Sequence, residues 1–189
     1  MCKRKRDDTA TEAEAFVANA APAVASEASA LTRGLTLKGA LYNHCILNGH
    51  KRVENRPFRI KPGWYALHTG VGKLAAEDAK RIHARMGMGG ACLPDECSLP
   101  HGVIVGAVHF CGGLKHSDCA EDHWATGPIC NVIDAYCALR RPVPHRGALS
   151  LWKIKPDALA EVQAQLASAP VHRNADVSSF FLRGRPSIA

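Results

Sequence analysis

Apolar and polar positions change rhythm several times along this chain, and each change marks an element. Residues 1–33 are rich in alanine but interrupted by Glu12, Glu14, Glu27 and Pro22. No wide apolar face develops there, so this stretch reads as a flexible arm. Leu35 opens a short extended entry to segment 40–47, whose Ala40, Leu41, Ile46 and Leu47 form one side of a helix that Gly49 ends. A strand is predicted over 52–58, with Lys51 in the turn before it. Alternation puts Arg52, Glu54 and Arg56 on one face and Val53 and Asn55 on the other. Lys61, Pro62 and Gly63 then turn the chain into a second strand, 64–69. Residues 74–86 carry Leu74, Ile82 and Met86 at helical spacing, with acids first and bases last, before glycines 87, 89 and 90.

The second half is richer in strands. The run 102–110 is nearly continuous in Val103, Ile104, Val105 and Val108, a pattern for the middle of a sheet, and Gly106 admits a close backbone. A polar, histidine-rich loop, 111–127, holds Trp124, which reads as a single ring stacked on a base or as a loop anchor on the core; with 6% aromatic residues the chain lacks a stacking platform. Strands follow at 131–139 and 149–154, the latter carrying Trp152 into the core. Asp157 is placed as the N-cap of a helix with Leu159, Val162 and Leu166 on its apolar side, packing on the domain. Beyond Pro170, Arg173, Arg183 and Arg185 accompany an apolar knot of Phe180, Phe181 and Leu182, which is expected to dock on the domain. The fold class is α+β: a small mixed, mostly antiparallel β-barrel flanked by helices over 34–155, with a C-terminal helix and tail over 156–189.

A chain of 189 residues with 47% hydrophobic content supports one domain with a core plus tails. No run of about 18 apolar residues occurs, which excludes an ordinary membrane helix and a membrane partner of that kind. The basic start, MCKRKRDD, leads into acids rather than a leucine-rich core, so neither a secretory nor an organelle address is expected. An intracellular protein, cytoplasmic or nuclear, follows, with Lys3 to Arg6 a short nuclear-import candidate. Over 35–154 there are 15 Lys and Arg against 9 Asp and Glu, a net +6, so most of the chain's +7 belongs to its core. Such an excess suits polyanions or phosphorylated ligands. The eight cysteines read as reduced thiols. A weaker alternative is a zinc site built from Cys111, His116, Cys119 and His123, although no C-x-x-C pair supports it.

The series G-x-K-x-x-E-x-R at Gly49, Lys51, Glu54 and Arg56, followed by the strand from Gly63 to His68, resembles the signature of the ASCH domain, a member of the PUA-like superfamily. The stretch from Pro100 to Val108 resembles the family's P-x-G-x-I-x-G strand, and that from Pro142 to Trp152 its closing P-x-x-G-x-x-x-x-W strand. The resemblance implies a PUA-like barrel whose Lys, Glu and Arg line a cleft for RNA or a small nucleotide-like ligand, with no cofactor. On this reading Lys51 and Arg56 donate to phosphate, Glu54 accepts from a base edge or holds Arg56, and His68, at a strand end, donates to the ligand or to backbone. Two alternatives stay open. Some small bacterial relatives are amidohydrolases acting on N4-acetylcytidine through a Lys, a Thr and a later carboxylate; here Lys51 matches the Lys, while Glu54 and His109 stand at the other two positions. The third reading is a protein-interaction scaffold.

Overall fold

A computed structural model describes residues 27–87, 92–174 and 177–182. Most of the expected arm, residues 1–26, lies outside the described residues, as do Gly89, Gly90, Arg183 and Arg185. The end of the arm is packed: Ala28 and Leu31 are buried against Ile104, Val162 and Leu166. Seven strands form one sheet: β1 (Arg33–Leu37), β2 (Val53–Arg56), β3 (Gly63–Thr69), β4 (Val103–Lys115), β5 (Ile129–Pro144), β6 (Leu151–Lys153) and β7 (His172–Arg173). Among the described residues the helices α1 (Ala40–Leu47), α2 (Ala76–Gly87), α3 (Pro156–Leu166) and α4 (Ser178–Leu182) accompany them, and residues 27–29 add a further helical turn. The strand order is β2-β5-β4-β3-β1-β6, with β7 added on β5; among the described residues only the β1/β3 pair is parallel.

The class is α+β and the sheet is mostly antiparallel, but it is a curled half-barrel rather than a closed barrel. Among the described residues β2 and β6 share no ladder. Both edges of β1 are occupied, by β3 and by β6, and β6 is so short that it pairs only Arg33 to Leu35. Beyond that point a side chain does what a strand would: Arg56 of β2 donates from Nη2 to the carbonyl of Thr36 at 3.0 Å. Helix α1 helps fill the same gap, sending Ile46 in among Leu35, Leu67, Val108 and Phe110.

Strands β4 and β5 outrun the expected limits because they pair with each other from Val103 opposite Pro144 to Lys115 opposite Ile129. Their ladder absorbs Cys111 to Gly113 and shortens the polar loop. Gly106 sits at an irregularity in this ladder; a Cβ there would lie 2.5 Å from the carbonyl oxygen of Cys137. Helix α3 is capped by Lys155 rather than Asp157, because Pro156, with its preset φ and no N–H, suits the first helical position. Its Val162 and Leu166 cover the outer face of the sheet. Phe180 of α4 docks beside Val53 and Trp124. Among the described residues no helix is long and apolar enough to cross a membrane.

Candidate functional site

The end of α1 sets up the site. Gly49, at φ +73°, lets the chain reverse, and the amides of His50 and Lys51 then both donate to the carbonyl of Cys45, at 2.9 and 3.1 Å. This anchors the backbone of Lys51. Its side chain does not swing free, as a turn lysine would: it is 2% exposed, with Nζ donating to Glu54 Oε2 at 2.8 Å and to the carbonyl of Val53. The rings of Tyr42 and Trp124 lie 5.8 Å from the same ammonium. Glu54 uses its other oxygen, Oε1, against Arg56 Nε at 3.0 Å. That contact is an ion pair rather than a hydrogen bond, since the Nε–H is not satisfied by it. One carboxylate therefore holds two cations, Lys51 and Arg56, where strand alternation brackets it with Arg52 and Arg56.

Arg52 leaves this face. The buried carboxylate of Asp122 draws it away, with Nη2 3.4 Å from Oδ2, and its guanidinium lies 5.2 Å over the ring of Phe180. Asn55 joins the cleft instead and ties the following loop down: its Oδ1 accepts from the amides of Thr126 at 2.9 Å and Gly127 at 3.2 Å, and its Nδ2 donates to the carbonyl of Trp124 at 2.8 Å. Trp124 is the loop anchor of the two roles open to it, 1% exposed with Nε1–H donating to the carbonyl of His50 at 2.7 Å.

His68 closes the other side. It is 2% exposed, and its Nε2–H donates to the carbonyl of His145 at 2.8 Å. Burial is the main cause that lowers its pKa, so the ring is neutral near pH 7. His145 is likewise lowered by burial and stacks on Trp152 with ring centroids 4.6 Å apart.

Lys51, Glu54, Arg56 and His68 line one cleft of about 900 Å³. Lys38, Arg85 and Arg146 line it too, so among the described residues five permanent cations face a single carboxylate. Tyr42 adds a phenol whose pKa burial raises, keeping it a hydrogen-bond donor. Sequence reasoning missed Lys38, Arg85, Arg146 and His145 because they converge from the end of β1, from α2 and from the β5–β6 loop. Arg85, one base among several on a helix, carries no local signal of this convergence.

His109 is not in the cleft. It lies on β4 with Nδ1 2.6 Å from Asp134 Oδ1 and its ring beside Trp64, so the catalytic set Lys51, Glu54 and His109 is not assembled. The four residues of the zinc alternative do not converge either. Cys111 donates to the carbonyl of Val132 at 3.5 Å, while Cys119 is buried and donates to the carbonyl of Lys115 at 3.4 Å. Burial pushes these thiols up, to about 11 and about 12, so they hold their protons. Among the described residues no three His, Cys, Asp or Glu groups are placed to hold a metal ion.

Fold and site together define an α+β protein with a cationic cleft beside a curled, mostly antiparallel sheet. No family model matches the chain, and neither does any curated protein.

Proposed function

We propose that the protein binds a phosphorylated, nucleotide-like ligand, RNA foremost, in this cleft. The observation that carries the reading is the lining itself: five cations against one carboxylate in a cavity of about 900 Å³. Pockets of roughly 300–1,000 Å³ take ligands of nucleotide size, and cations set in a low-dielectric wall favour phosphate. Lys51 and Arg56 are pinned by Glu54 and give the floor its shape and field. Lys38 and Arg146 are exposed at the edge and reach phosphate directly. The resemblance of Gly49, Lys51, Glu54 and Arg56 to the ASCH signature supports the same ligand class. The test is titration of a short labelled single-stranded RNA against the protein and against Lys38→Ala and Arg146→Ala. Each variant should bind about 5-fold more weakly at low salt with an unchanged melting temperature. Unchanged affinity in both variants would sink the reading.

A further inference from the structure

Among the described residues only three large apolar side chains are exposed, and two of them stand at this cleft: Val71, 83% exposed, and Leu149, 95% exposed. A cleft lined by so many cations has no need of apolar tips if its ligand is phosphate alone. Each tip is carried by a loop whose base is seated. Val71 lies between Gly70 and Gly72, its Cγ1 3.2 Å from where a Cβ on Gly102 would be. Gly102 couples the two loops, its amide donating to the carbonyl of Thr69 at 2.9 Å and its carbonyl accepting from the amide of His145 at 3.2 Å. On the other side Gly147 is pressed against His68 and Thr36, so closely that a Cβ would come within 2.5 Å of both. Leu149 projects beyond that seat, and Ser150 next to it holds φ at +61°, a conformation that L-residues rarely adopt and that glycine would take without strain. Loops rigid at the base that hold apolar tips in water, at the expense of a strained residue, are built for contact.

We propose that Val71 and Leu149 form an apolar clasp for the flat face of a nucleobase whose phosphate is held by the cations of the cleft. The inference rests on the reading of the cleft as a nucleotide site and adds which part of the nucleotide the mouth selects. Two aliphatic tips offer no hydrogen bonds, so the clasp reads a flat apolar face and not a base edge.

The experiment compares uridine 5′-monophosphate with ribose 5-phosphate by calorimetry on the full chain and on the double variant Val71→Ser/Leu149→Ser. Both positions are exposed, and an unchanged melting temperature verifies the fold. The parent should bind the nucleotide about tenfold more tightly than the sugar phosphate, as contact with one base face supplies. In the double variant that ratio should fall to within about twofold while sugar phosphate affinity stays the same. Equal binding of the two compounds by the parent, or a ratio kept by the variant, overturns the clasp and leaves the cleft reading standing. Failure of both compounds to bind at millimolar concentration overturns the cleft reading and the clasp with it.

Discussion

A lysine in a turn is ordinarily a solvated, mobile charge, yet Lys51 is 2% exposed and its ammonium is spent on Glu54 and a backbone carbonyl. Two charges out of water are tolerable only while each has its partner. Removing Lys51 leaves Glu54, itself 7% exposed, to be balanced by Arg56 alone through an imperfectly directed contact. Lys51→Ala should therefore lower unfolding free energy by about 3 kcal/mol in urea titration, and Glu54→Ala by a similar amount, because it strands two cations. The pair replaced together, Lys51→Met with Glu54→Leu, should recover part of the Glu54→Ala loss, since only Arg56 then lacks a carboxylate, and it is partly exposed and still donates to the carbonyl of Thr36. A Lys51→Ala protein as stable as its parent would show that the ammonium is in fact well hydrated.

At the scale of elements the loop 124–127 depends on one strand residue. Asn55 spends both ends of its amide on that loop, and the loop in turn carries Trp124, against which Lys51 rests. Asn55→Ala should release the loop while leaving the sheet folded: amide hydrogen exchange should speed up at Thr126 and Gly127, with a stability cost of about 1–3 kcal/mol. Protection unchanged at both amides would mean the loop is held by Trp124 alone. Local periodicity made most elements legible. Alternation and the motif spacing also singled out Lys51, Glu54, Arg56 and His68, which line one cleft. What stayed hidden depends on partners remote in sequence. The length of β4 is decided by β5, the turn of Arg52 toward Asp122 crosses 70 positions, and the closure that a barrel pattern implies is replaced at Thr36 by a side chain from β2. Composition alone likewise cannot separate a solvated lysine from one beneath two aromatic rings.

For the whole molecule the question is how its positive charge is spent. The net +6 of residues 35–154 is a property of composition, but only cations near the ligand release counterions when it binds. Five line the cleft, and Glu54 offsets Lys51 and Arg56 in part, which leaves Lys38, Arg85 and Arg146 as the groups free of a carboxylate within the cleft lining. Each phosphate neutralised on a single strand contributes about −0.7 to the slope of log affinity against log salt. Three contacts give a slope of roughly −2, and losing one moves it to roughly −1.4. Short single-stranded RNA should therefore bind the parent with the steeper slope, and Lys38→Ala should show the shallower one at unchanged stability. A slope near zero in the parent would mean that affinity owes nothing to phosphate. A slope far steeper than −2, and insensitive to Lys38→Ala, would place the phosphate contacts elsewhere on the basic surface, outside this cleft.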